Sequence, residues 1–107
     1  MLNVIVLNGR LTKDPVIKTF EDEKVVANFV LAVQRNKEEA DFIPVEVWNQ
    51  TARSVETYVK KGALIGVEGT LRVSNYEDNE GNLRTFTKVV GNRVHFIDLR
   101  NNDTDRE

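Results

Sequence analysis

Between residues 50 and 62 the spacing of apolar residues changes, and it changes only there. In Q-T-A-R-S-V-E-T-Y-V-K-K-G the apolar positions Ala52, Val55, Tyr58 and Val59 recur three and four residues apart, the spacing of one helix face. Thr51 stands where an N-cap belongs, Lys60 and Lys61 fall in the last turn, and Gly62 is a candidate stop. The rest of the chain up to Leu99 is patterned as strands and turns. Asn3 to Leu11 is a long apolar run interrupted by Gly9, as expected of a strand buried on two sides and bent at the glycine. Thr12 to Pro15 is a turn, Val16 to Phe20 a short strand and Lys24 to Val33 a longer one. Residues 34–41 form a polar connection into D-F-I-P-V-E-V-W-N-Q, residues 41–50. After the helix comes a long strand, Ala63 to Tyr76, expected to turn Ile65, Val67, Leu71 and Val73 inward. Glu77 to Asn82 is a hairpin tip, Leu83 to Val90 the return strand, and Val94 to Leu99 a last extended segment.

Five strands with a single helix between the third and fourth is the order of an oligonucleotide/oligosaccharide-binding barrel. The fold class expected is therefore all-β with one helix, a five-stranded OB-fold barrel over residues 1–99. An open sheet with one helix packed on it is the alternative. Residues 100–107 are polar and expected to be disordered.

A chain of 107 residues is one domain's worth. It has no Cys and one His, which excludes disulfides and a thiolate zinc site, so no metal or cofactor is expected. No apolar run approaches the ~20 residues of a membrane span. The N-terminal M-L-N-V-I-V-L-N-G lacks a basic leader and a cleavage site, so a cytoplasmic, nucleoid-associated protein is expected. No enzyme is expected either. Ser54 and Ser74 sit on a helix and a strand, His95 sits in a surface strand pattern, and no glycine run has the spacing of a phosphate loop.

The net charge of −2 argues against a simple basic nucleic-acid binder. Its distribution says more. Acids cluster at Glu21-Asp22-Glu23, at Glu38-Glu39 with Asp41, and at Glu77-Asp78 with Glu80. All three are expected at loop tips, leaving the sheet surface between them free to be locally positive.

The stretch 41–50 sharpens that point. As a strand it turns Ile43, Val45 and Val47 to one face and Phe42, Pro44, Glu46 and Trp48, the only Trp, to the other. A face holding a carboxylate is a wet face, yet two large aromatics share it. The same outward parity gives Glu68, Thr70, Arg72, Ser74 and Tyr76 on the fourth strand and Arg84, Phe86 and Lys88 on the return strand. Arg35 and Lys37 precede Phe42, and Arg10 and Lys13 close the first strand. Aromatics beside cations suit single-stranded nucleic acid. Unpaired bases stack on rings at ~1–3 kcal/mol each, and phosphates need cations along a track. Neither interaction reads sequence. The competing readings are ordinary ones: Phe42 and Trp48 packed under a loop or at a subunit interface, parity drift placing Phe86 on either face, and Phe20, Phe29, Tyr58 and Phe96 in the core.

Several longer motifs point the same way. They are L-N-x-x-x-L-x-G-R-L-T-K-D-P at 2–15, V-A-N-F-x-L-A-V at 26–33, A-D-F at 40–42, V-K-K-G-A-L-I-G-V-E-G-T-L-R at 59–72, N-Y-E-D-N-E-G at 75–81 and V-H-F-I-D at 94–98. In this order and spacing the chain resembles the bacterial-type single-stranded DNA-binding proteins (SSB) over residues 1–98. The resemblance implies a homotetramer, a dimer of dimers paired through the first strands, with single-stranded DNA wrapped over its exterior. It implies base stacking on Phe42, Trp48 and Tyr76 and DNA contacts from Lys61 and Arg72. The chain departs from the family pattern in four places. Residues 34–41 lack a further aromatic. Pro44 interrupts a strand, which should be edge-like or bulged there. The return-strand aromatic has moved by one, to Phe86, and Lys88 stands where Glu is usual. The chain ends at Arg106-Glu107 without the acidic Pro-Phe tip that recruits replication and repair proteins, so recruitment is expected to be weak.

The function expected is sequence-nonspecific binding and protection of single-stranded DNA in replication, recombination, repair or DNA uptake. Phe42, Trp48, Tyr76 and Phe86 are the expected stacking residues. Arg10, Lys13, Arg35, Lys61, Arg72, Arg84 and Lys88 are the expected phosphate contacts. The alternative is an OB-fold protein-interaction module of primosomal type with weak nucleic-acid binding, which the near-neutral charge favours. Single-stranded RNA is a third possible ligand, since nothing in the pattern addresses the 2′-hydroxyl.

Overall fold

A computed structural model of the chain describes residues 1–99. The polar end expected at 100–107 lies outside the described residues. The elements in order are β1 (Ile5–Leu11), β2 (Val16–Thr19), β3 (Val25–Gln34), β4 (Ala40–Trp48), α1 (Asn49–Tyr58), β5 (Leu64–Glu77) and β6 (Leu83–Asp98). The sheet runs β1-β5-β6-β4-β3-β2, and β1 also pairs with β3. That extra pairing closes β1, β5, β6, β4 and β3 into a ring, the OB fold, with β2 laid on β3 as a short addition. All pairs are antiparallel except β4 with β6, where Val45, Glu46 and Val47 align with Val89, Val90 and Gly91. The extended segment expected at 94–99 is the far end of β6, not a separate strand.

β1 serves two neighbours. Its length pairs with β5, and its last residues, Arg10 and Leu11, pair with Ala32 and Leu31 of β3. The switch happens at Gly9, where a Cβ would stand 2.8 Å from the carbonyl oxygen of Ala32. Only a glycine allows so close a backbone approach. The inner face is filled by alternate residues of the ring, among them Leu31, Val45, Val47, Ile65, Val67 and Val89. α1 packs Ala52 and Val55 onto the same core. Each buried Val, Leu or Ile side chain contributes roughly 1.5–3 kcal/mol on burial.

Several expectations are corrected. α1 begins at Asn49, not beyond Thr51, and no side chain caps it. Asn49 adopts φ 54°, and its Oδ1 accepts the backbone N–H of Val25 at 3.2 Å, tying the helix start to β3. Lys60 and Lys61 lie past the helix, and Gly62, at φ 89°, sits in the following turn, where its N–H donates to the carbonyl of Leu11. β1 is not buried on two sides, since Val6 and Asn8 are exposed, as is Val4 just before it. Leu71 and Val73 do not point inward; both are exposed because β5 runs out past the ring. Phe29 is buried as expected, but Phe20, Tyr58 and Phe96 are exposed. Phe20 lies against Trp48, with ring centroids 5.9 Å apart, and Tyr58 lies against Phe96 at 5.8 Å. Pro44 behaves as expected of an edge: β6 pairs with β4 only from Val45 to Val47.

Candidate nucleic-acid interface

The register of β5 with β6 decides which aromatics and cations share a face. Arg72 is opposite Lys88, Ser74 opposite Phe86, and Tyr76 opposite Arg84. Residues directly opposite in an antiparallel pair project to the same side. The hairpin therefore presents Arg72, Tyr76, Arg84, Phe86 and Lys88 on one surface, and the question of parity at Phe86 is answered. Tyr76 and Phe86 are both about half exposed.

That surface continues across the ring. On β4 the inward residues Val45 and Val47 are buried, while Phe42 is 64% exposed. Arg10 on β1 and Phe42 on β4 both pair with Ala32 of β3, so the three lie side by side. Phe42 and Trp48 stand at opposite ends of β4, six residues and hence ~20 Å apart. The aromatics mark a track and not a single cluster. Between the 12–15 loop and the hairpin lies a groove of about 320 Å³, lined by Thr12, Lys13, Asp14, Val16, Asn28, Phe29, Val30, Pro44, Val45, Glu46, Phe86 and Lys88. Lys61 belongs to the same neighbourhood, since its backbone N–H donates to Asp14 Oδ1 at 2.7 Å.

The seven cations are not equivalent. Arg35 pairs with Asp41 at 2.6 Å, Arg84 with Asp78 at 2.8 Å and Lys88 with Glu46 at 2.6 Å. The Arg10 guanidinium donates to the carbonyl of Gly62 at 2.9 Å. Among the described residues, the side-chain charges of Lys13, Lys61 and Arg72 form no ion pair within 4.0 Å. The Arg35–Asp41 pair is exposed on both sides and of a kind worth about 0–1 kcal/mol, so an incoming anion can replace that carboxylate at little cost. Hydrogen bonds from Arg84 and from the backbone N–H groups of Asn82 and Glu80 hold the Asp78 carboxyl below the usual Asp value.

Glu46 is the residue that sequence reasoning missed. It had marked the face as wet and nothing more. In the fold its Oε1 accepts from Lys88 Nζ, and its Oε2 accepts from the indole N–H of Trp48 at 2.6 Å. Partial burial pushes its carboxyl up. The hydrogen bonds from Lys88 and Trp48, with the charges of Lys88 and Arg72, outweigh that and hold it below the usual Glu value. The signal was a carboxylate two residues before the Trp; its lysine lies 42 residues away, beyond any local pattern.

A closed five-stranded OB ring whose outer face alternates exposed rings with cations defines a protein built to hold flat, anionic polymers. Comparison with known proteins agrees. Residues 2–97 match the model of the Single-strand binding protein family. "Single-stranded DNA-binding protein 1" of Clostridium acetobutylicum is 45% identical over 106 residues, which cover 92% of this chain and 96% of that one. "Single-stranded DNA-binding protein 2" of Listeria monocytogenes is 41% identical over 98% of this chain and 69% of its own. A relative from Staphylococcus aureus, "Single-stranded DNA-binding protein 1", is 40% identical over the whole chain and 72% of its own. The chain belongs to the Single-strand binding protein family. Among the described residues no helix is long and apolar enough to cross a membrane, and no group of three or more His, Cys, Asp or Glu is placed to hold a metal ion.

Proposed function

We propose that this chain binds and covers single-stranded DNA without reading its sequence and without catalysing a reaction on it. The observation that carries the reading is the row formed across β5 and β6, where Arg72, Tyr76, Arg84 and Phe86 are exposed on one face with the half-buried Lys88 at its inner end. Unpaired bases stack on Phe42, Trp48, Tyr76 and Phe86. Phosphates meet Lys13, Lys61 and Arg72 first, then draw Arg35, Arg84 and Lys88 from their carboxylates, while Arg10 lines the β1 end. The family and the names of the relatives support the choice of ligand. A coat of this kind serves transient single strands in replication, recombination, repair or DNA uptake, in the cytoplasm at the nucleoid.

The exposed Val6 on β1 and Val4 just before it support pairing of two copies through that strand, and two pairs docking into a tetramer. Several copies on one strand multiply affinity through effective concentration. The test is a competition. Labelled oligo-dT is bound, followed by anisotropy, and challenged with unlabelled oligo-dT, oligo-rU and a duplex of equal length. Displacement by oligo-dT with little effect of duplex is the expected result. Absence of oligo-dT binding would move the protein to the class of protein-interaction modules. Sedimentation of the free protein reports the tetramer.

A further inference from the structure

Glu46 carries a charge that opposes the proposed ligand, and it stands in the wall of the groove. It lies on the outer side of β4, opposite Asn28 of β3. One carboxylate oxygen holds Lys88 and the other holds the edge of Trp48. The Lys88 and Glu46 side chains are only 26% and 15% exposed, against 60% and 45% for Arg35 and Asp41. A pair so withdrawn is screened less by salt. Arg72, directly opposite Lys88 on β5, acts on Glu46 through its charge but forms no ion pair within 4.0 Å.

We propose that Glu46 is an internal stand-in for a DNA phosphate: its carboxylate occupies Lys88 in the free protein, and a bound strand must displace it. The inference rests on the reading that this face takes single-stranded DNA. It makes two neighbouring cations unequal. A phosphate reaching Arg72 neutralises an open charge and releases counterions. A phosphate reaching Lys88 exchanges one oxyanion for another and gains little. Once displaced, Glu46 remains beside Pro44 and Trp48 and repels the backbone from that stretch of β4. The phosphates are thereby kept to the Lys13 rim and the hairpin, and the bases are left to face β4. Glu46 is thus a positioning residue as well as a competitor.

The test compares oligo-dT affinity over a salt series for the wild type, Glu46→Gln, Lys88→Met and the double variant. Gln keeps the shape of the side chain and its bond to the indole while removing the charge. Glu46→Gln is expected to bind about fivefold tighter at low salt. The slope of log affinity against log salt should steepen by about 0.7, the value of one further phosphate contact on a single strand. Lys88→Met alone should cost about twofold or less, and in its background Glu46→Gln should no longer change the slope. Glu46→Val, a substitution that suits a strand, should steepen the slope as Gln does. A Glu46→Gln slope and affinity equal to those of a tightly binding wild type would overturn the proposal. So would a slope change that survives without Lys88, or one seen with Val but not with Gln, which would trace the effect to Trp48 packing. Failure of the wild type to bind oligo-dT would instead overturn the functional reading itself.

Discussion

The β5–β6 ribbon has two halves that obey different rules. Near the ring, Ile65, Val67 and Val89 turn inward and are fully buried, while Leu64, Glu68, Lys88 and Val90 beside them are half-buried. From Leu71 to Glu77 and from Leu83 to Thr87 the ribbon leaves the ring, and every residue is exposed while the two strands stay paired. The register shifts between Glu68 and Gly69, just inside the junction. In the near half, alternation separates core from surface. In the far half there is no core to face, and alternation separates two surfaces: Arg72, Tyr76, Arg84 and Phe86 on one, Leu71, Val73 and Leu83 on the other. The hairpin gives up buried area for a surface that a ligand can reach.

That contrast can be broken most severely at the junction. A Cβ on Gly69 would stand 2.1 Å from the carbonyl oxygen of Val90 and 2.8 Å from the Cα of Gly91. Both are backbone atoms of the paired strand. Gly69→Ala is expected to cost about 3 kcal/mol or more, seen as a lower urea midpoint, because it disrupts the ring. In the hairpin the expectation reverses. Phe86→Ala should weaken oligo-dT binding by ~1–3 kcal/mol while leaving the urea midpoint nearly unchanged, since the ring is about half exposed. A large loss of stability at Phe86 would contradict the division between the halves. Arg72→Ala should do less: a few-fold in affinity and a salt slope shallower by about 0.7.

The smallest effect is expected at the hairpin tip. Asp78 Oδ1 accepts the backbone N–H groups of Glu80 and Asn82, each at 2.9 Å, and Oδ2 accepts from Arg84. Its carboxyl is held below the usual Asp value. Its contribution is therefore present above the pKa of an unfolded Asp and is lost as pH falls through the lower, folded value. Amide exchange at Glu80 and Asn82, corrected for intrinsic rates, should speed up in that acid window while Val67 stays protected. Asp78→Asn should loosen the same two amides at neutral pH. Simultaneous loss at Val67 would mean that the hairpin and ring do not open separately.

The sequence showed a good deal of this, for identifiable reasons. The single change of period at residues 50–62 placed the helix, and strand patterns on either side of it led to the OB fold. The outward parity of Phe42, Trp48, Arg72 and Tyr76 was legible because each lies on a regular strand. What was not legible depends on where strands end and which strands meet. Leu71 and Val73 keep the inward parity of Val67, and nothing local says that the ring has already closed. Phe20 and Phe96 sit in apolar strand patterns, yet are exposed and lie beside Trp48 and Tyr58. The helix start was missed because Asn49 is fixed by a bond to Val25, far back in the chain. The pairing of Lys88 with Glu46 needs the β4–β6 closure, which joins strands distant in sequence.

The central claim is that bases, and not phosphates alone, hold the strand to this face. It is tested most directly by titrating Trp48 emission with oligo-dT and with an abasic strand of the same length and charge. Stacking predicts strong quenching by oligo-dT that persists in moderate salt, with weak, salt-sensitive binding and little quenching by the abasic strand. Equal affinity and equal quenching by the two strands would contradict it and reduce the interface to an electrostatic one.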